Sequence, residues 1–363
     1  MIQGACSAAP GRGFRCFRVS GSTLARRIAG LSTAAKKAWV PAFAGMSGLL
    51  WTACAPAPAP LPAHPVAPGQ GITVEAQRTP QMTGGQAAPQ GGAFAYAGGL
   101  WLTSPDTSRL HGLSDLKVWP DGRLLAMGDE GDLLEARLTL DAQGAPSSVT
   151  DARLTGIVGE DGRTLTSRGK AWADAEGIAE LANGDRLVSL EEHDRILVYP
   201  HAGGPPRLAP SPDVVYPFNL GMEALADYPA AGPDAYIVGG EASGEFFVCH
   251  LAGGCAKDRT VALPPEFGLT AVAPLSGGRL AYLLRAYDPV RGARVLLRID
   301  DAAGLRLGEW RFERPATVDN FEGLAAVPKA DGRIRFYILS DDNFSSAQRT
   351  LLLAFDWTPP PGR

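Results

Sequence analysis

Carboxylates recur in this chain in a pattern that could hold a metal ion. Glu176, Glu223 and Glu322 each stand in a short phrase that opens an apolar run: Asp174-Ala-Glu-Gly-Ile178, Leu220-Gly-Met-Glu-Ala224 and Asn320-Phe-Glu-Gly-Leu324. Glu130, Glu191, Glu241 and Asp341 stand just after the following apolar run of the same unit. That many like charges in one place repel one another unless solvated, protonated or bound to cations. Oxygen-rich clusters of this kind suit hard divalent cations, Ca²⁺ above all. An ion held by Glu176, Glu223, Glu322 and Asp341, with Glu130 and Glu241 as further ligands, could grip a small anionic or ester substrate and activate water against it. The same acids have a plainer use. Each could accept backbone N–H bonds in its own turn and lock its unit, and residues repeated in every unit more often build the unit than catalyse.

The places where the pattern breaks are sharper candidates. Arg285 stands where the other units put an acid, so one cation faces the acidic set and could hold a phosphate or carboxylate. His111 takes the place of the turn acid in the first copy, and His193 follows Glu191 and Glu192. Asp341, Asp342, Asn343, Phe344 and Ser345, with Gln348 and Arg349, form the densest polar cluster of the chain. Arg285, His111 and Asp342 are therefore the candidate catalytic residues. A Ser/His/Asp triad does not fit, because no Gly-x-Ser-x-Gly elbow is present and neither histidine has an identifiable nucleophile. There is no phosphate-binding Walker loop, no dinucleotide fingerprint and no basic stripe for nucleic acid.

The elements that must carry these residues are short strands. The phrase occurs five times, the remaining copies being His111-Gly-Leu-Ser-Asp115 and Phe267-Gly-Leu-Thr-Ala271. Each copy precedes a second strand with a polar end, such as Leu187–Glu192 or Phe336–Asp342. Asp121-Gly122, Asn183-Gly184, Gly277-Gly278 and Asp331-Gly332 supply hairpin turns, and helical periodicity is nearly absent. A period near 50 residues built of turns and short strands indicates an all-β fold, a β-propeller with one blade per repeat. The length of the repeat region predicts six blades, the sixth from a degenerate hairpin around Arg153–Ile157. Strands within 72–102 are expected to close the ring against the C-terminal strand. In such a ring the ends of the inner strands converge on one axis, which is where the acids would meet.

The first 54 residues read differently. They carry seven basic residues and no Asp or Glu, leaving 27 basic against 38 acidic residues and a net charge of −11 for the rest of the 363-residue chain. Lys36 and Lys37, then an apolar run to Leu50 and Trp51-Thr-Ala-Cys54, predict an export signal over residues 1–54 with a lipobox-like end. That signal would place the protein in the periplasm or outside the cell, touching a membrane only through a lipid on Cys54. Residues 55–90, rich in Pro, Gly and Gln, are expected as linker, and 91–359 as the propeller. No stretch after residue 55 is apolar for the 18 or more residues of a membrane span. Cys249 and Cys255 flank a hairpin-like loop and fit either a local disulfide or two buried thiols. A monomer is expected, and the acidic charge disfavours nucleic acid.

The succession Gly112-Leu-Ser114, Gly128-Asp-Glu-Gly131, Asp174–Ile178, Asn219–Ala224, Asp319-Asn-Phe-Glu-Gly-Leu324 and Ser340–Leu352 resembles the phytase-like β-propeller proteins, the "esterase-like activity of phytase" family. His111 and Gly128 depart from the small residue and the serine usual there. The resemblance implies an exported, often lipid-anchored bacterial protein and hydrolysis of phosphate or other esters. The alternatives are a propeller that binds a ligand or protein without catalysis, and a lactonase of the gluconolactonase type. The last would need a compact metal set such as Glu176, Asn219 or Asn320, and Asp341.

Overall fold

The computed structural model describes residues 69–79, 86–87, 94–314, 316 and 318–360. The expected export signal, Cys54 and most of the expected linker lie outside these residues. Among the described residues, five antiparallel sheets form five blades where six were expected. Their inner strands are Leu113–Val118, Ala175–Glu180, Ala224–Asp227, Gly268–Pro274 and Asn320–Pro328, and each neighbours the next until the fifth meets the first. The segment expected to start a sixth blade is the long outer strand Pro146–Gly156 of the first blade. It is followed by a 3₁₀ turn, Leu165–Arg168, and a short helix, Lys170–Ala173. The extra length therefore goes into a longer blade and a connection. Three short strands also fall within the expected linker: Gln70–Gly71, Glu75–Arg78 and Gln86–Ala87 lie at the outer edges of the first, fifth and fourth blades.

The ring closes as the sequence predicts. Phe94–Thr103 joins the fifth blade, pairing with Leu351–Trp357 from Trp101↔Leu351 to Phe94↔Trp357. Second and third strands such as Ala235–Gly239 and Leu351–Trp357 are buried along their whole length, because neighbouring blades cover both faces. Phe94, Trp310, Phe312, Phe355 and Trp357 pack between the fourth and fifth blades, with Trp310 edge-on to Phe355 at 4.7 Å. Burial of each such ring contributes roughly 2–3 kcal/mol. Cys249 and Cys255 are register partners across a hairpin of the third blade and form a disulfide.

A five-bladed ring has a narrow axis, and the Glu-Gly step of the repeat answers to that. A Cβ on Gly177 would lie 2.6 Å from Leu225 Cβ and 2.8 Å from the Glu223 carbonyl oxygen of the next inner strand. One on Gly323 would lie 3.1 Å from Asp115 Cα. Only glycine lets these strands approach so closely.

Candidate functional site

Register decides which side chains meet at the channel mouth. In four blades the inner strand carries a β-bulge near its start, so one residue has no partner across the ladder. These unpaired residues are Ser114, Glu176, Thr270 and Glu322, and Glu223 takes the same place just before its strand. A bulge re-aims the side chain it carries. The second strands end at the same mouth, where the residues at the end of the ladder or one or two beyond it are Asp129, Glu191, Glu241, Arg285 and Asp341. Thus one ring reads Ser114, Glu176, Glu223, Thr270, Glu322, and the other reads Asp129, Glu191, Glu241, Arg285, Asp341. Seven carboxylates are interrupted by two hydroxyls and one guanidinium.

Of the candidate metal ligands, Glu176, Glu223, Glu241, Glu322 and Asp341 stand in these rings. Glu130 does not: the equivalent residue of the first blade is Asp129, and Glu130 lies in the turn beyond it. Carboxylate oxygens of Asp174, Glu176 and Glu191 lie within 4.8 Å of one another, and so do those of Glu191, Glu223 and Glu241. Glu191 is common to both groups. Glu322 and Asp341 stand on the side of the mouth bound by Arg285 and Asn320. Arg285 Nη1 is 2.7 Å from Glu322 and Nη2 is 3.7 Å from Glu241. Arg285 also donates to the side-chain oxygen of Asn320, whose amide nitrogen donates to Glu322 at 2.8 Å and Asp341 at 3.2 Å. Asn219 sits in the loop before the third blade with a left-handed backbone.

Crowding and burial move these acids away from their ordinary behaviour. Burial, reinforced by Glu322, Glu191 and further acids, holds Glu176 well above the usual glutamate range. Glu223 is held there too, by burial first and Glu241 next, against the pull of Arg285. Burial raises Glu191 to about 7 although the Gly221 N–H donates to it at 2.8 Å. Glu322 reaches about 8, with burial outweighing Arg285, and Asp341 about 6. Asp129 is raised to about 7 by burial, opposed by Lys170, and its Oδ1 is buried with no hydrogen-bond partner. For Arg285, burial is outweighed by Glu322, Glu223 and Glu241, which keep it protonated.

His111 and Asp342 stand at the junction of the first and fifth blades. His111 Nδ1 contacts Asp342, which also accepts bonds from the Gly112 N–H at 3.1 Å, the Phe344 N–H at 3.2 Å and the Thr350 hydroxyl at 2.8 Å. Burial opposes ionisation of Asp342, yet His111 and these donors hold it below the usual range. Asp342 thereby anchors the loop that runs to Thr350, in which Asn343 and Phe344 both adopt left-handed backbone. His193 stacks on Trp172 with ring centres 4.0 Å apart.

Four participants escaped the sequence reading as site residues; Glu191, read as one of the repeated acids but not as a ligand, is common to both carboxylate groups. Asp174 and Asp129 were visible within the repeated phrases but carried no mark of their own. Lys170, which bridges Asp129 at 3.0 Å and Asp174 at 2.8 Å, comes from a connection outside the repeat. Two cavities adjoin Arg285. One of about 400 Å³ runs beside Leu220, Phe267 and Tyr287. The other, of about 750 Å³, is lined by Arg314, Arg349, Asn320, Asn343 and Gln348. At the opposite mouth is a cavity of about 220 Å³. There Lys117 donates to Asp115 at 2.9 Å and to the Leu225 carbonyl at 3.2 Å, tying the first blade to the third.

Fold and site together define a five-bladed propeller with an acidic mouth whose two rings of side chains carry one guanidinium, Arg285. The chain belongs to the phytase-like family described as "Esterase-like activity of phytase", which matches residues 108–344. No curated protein matches it. Among solved structures it is similar in fold to virginiamycin B lyase from Staphylococcus aureus, at 9% identity and TM-score 0.40 over 77% of this chain and all of that one. A putative gluconolactonase aligns at 14% identity and TM-score 0.43, over 80% of this chain and 94% of the other.

Proposed function

We propose that this propeller is a metal-assisted hydrolase of phosphate esters or related esters, working at the acidic mouth. The observation that carries the reading is the pair of close-set carboxylate groups sharing Glu191, set beside the guanidinium of Arg285. Asp174, Glu176, Glu191, Glu223 and Glu241 fit a hard divalent cation, Ca²⁺ in the first place, because the set is oxygen only and crowds like charges into one place. Asp129 Oδ1, buried without a partner, is a further oxygen donor close by. Such an ion would supply positive charge to offset the charge developing on the substrate.

The chain's own groups do the rest. Arg285 orients the anionic oxygens by paired N–H donors. Glu322 touches Arg285 and its carboxyl is raised to about 8, so it can give a proton to the leaving alkoxide as water adds to phosphorus and regain one from that water. Asp342 fixes the His111 ring through Nδ1, a positioning role for both candidates. Export is part of the proposal: the basic, acid-free residues 1–54 and the Cys249–Cys255 disulfide suit an oxidising compartment. Cell fractionation of the parent and Cys54→Ala tests that part.

The chemistry is tested by assaying purified protein on p-nitrophenyl phosphate, p-nitrophenyl acetate and a sugar lactone, with Ca²⁺ or with chelator. Turnover of the phosphate ester that needs Ca²⁺ and is lost in Arg285→Ala is expected. Equal, background turnover by parent and variant would leave a binding module. Lactone hydrolysis alone would favour the lactonase.

A further inference from the structure

One side of the acidic mouth is apolar. The loop before the third blade exposes Val215 by 95% and Phe218 by 81%, and the hairpin between the second and third strands of the fourth blade exposes Tyr287 by 70% and Val290 by 87%. Between loop and hairpin lies the cavity of about 400 Å³, walled by Leu220, Phe267 and Tyr287, with Arg285 and Glu241 on its polar side. Glu266 at its edge is already engaged by Arg291 at 2.6 Å and Arg294 at 2.8 Å. Leu220 is fixed relative to the carboxylates, since the N–H of the next residue, Gly221, binds Glu191. The volume suits an aromatic ring or short alkyl chain and is too small for a protein segment. A polyol ester would leave this wall in water, whereas an apolar group would cover it.

We infer that the site takes amphiphilic anions: a phosphate monoester whose charged end sits on Arg285 and whose aryl or short alkyl group lies against Leu220, Phe267 and Tyr287. The inference rests on the reading of Arg285 as the anion-binding group and narrows its substrate class. Phenylphosphonate and methylphosphonate share the head group, are not hydrolysed, and differ only in the apolar part. Titration calorimetry of the full protein with Ca²⁺ should show phenylphosphonate binding about tenfold tighter, the worth of moving part of a ring out of water. Leu220→Ser with Tyr287→Ser should abolish that preference and leave methylphosphonate affinity and the melting temperature unchanged. Equal affinities in the parent, no binding of either ligand, or a preference that survives the double variant would overturn it. Hydrolysis is scored separately: preference without turnover of an aryl phosphate sinks the hydrolase reading alone, and turnover without preference sinks this one alone.

Discussion

Replacing Glu191 by glutamine tests the carboxylate cluster most directly. Glu191 belongs to both groups of three, is 4% exposed, and has its pKa raised from 4.5 to about 7. A carboxyl shifted upward binds more protons folded than unfolded between the two values. Its effect on stability is therefore a penalty that grows as pH rises through that window and is complete above it. About 2.5 units at 1.36 kcal/mol each makes that penalty about 3 kcal/mol at pH 8, and about 1 kcal/mol at pH 5. Glutamine cannot ionise but keeps an oxygen for the Gly221 N–H. In chelator at pH 8, Glu191→Gln should melt roughly 6 °C above the parent, at about 2 °C per kcal/mol for a domain of this size. At pH 5 the gap should shrink to about a third. With Ca²⁺ in excess the order should reverse, because the ion stabilises the parent more. Calorimetric or circular-dichroism melts at the two pH values, with chelator and with Ca²⁺, read all four cases. A variant that melts below the parent at pH 8 in chelator would refute the reasoning, as would an advantage that does not grow with pH.

Three further outcomes follow from the same geometry. Gly177→Ala should cost about 1–3 kcal/mol by forcing apart the second and third inner strands, and an unchanged melting temperature would contradict the close approach. Asp342→Ala should loosen the loop to Thr350 and cost about 2–3 kcal/mol at pH 7. Because Asp342 is held below the 3.8 of an ordinary aspartate, that cost should be constant above this value and fade as pH drops through the folded one; denaturant melts from pH 7 to 3 check it. Reducing Cys249–Cys255, which closes a loop with a sequence separation of 6, should cost about 2 kcal/mol, read as a lower melting temperature in reductant.

The fold was legible because the repeat is built from local signals: an Asp-Gly or Asn-Gly turn, a short apolar strand, an opening phrase. Five copies are written and five blades form, so the copies counted blades better than length did. Length misled because Pro146–Gly156 and the connection to Ala173 consume residues without adding a blade. The site was half legible. Glu176, Glu223, Glu241 and Glu322 announce themselves by repetition, and Arg285 by breaking it. Which acids meet depends on register: one residue separates Asp129 from Glu130, and only the end of the ladder at Gly128 decides between them. Lys170 could not be found that way, since it enters the mouth from outside the repeat.

Repetition first favoured a structural role for the acids, each accepting backbone N–H bonds in its own turn. That role fits some of them: Glu191 takes the Gly221 N–H and Asp341 the Asn343 N–H. Among the described residues no backbone N–H donates to Glu176, Glu223 or Glu322. Their strand ladders do not need them either, since Glu176 and Glu322 occupy bulges and Glu223 precedes its strand. The Glu-Gly step therefore divides its labour. The glycine builds the ring by letting inner strands close to van der Waals contact, and the same closeness gathers Glu176 and Glu322, which precede these glycines, where burial and neighbouring acids push their carboxyls up. A blade lock would gain nothing from charges held at such a disadvantage. A group that binds cations would, because an ion turns each of those penalties into affinity.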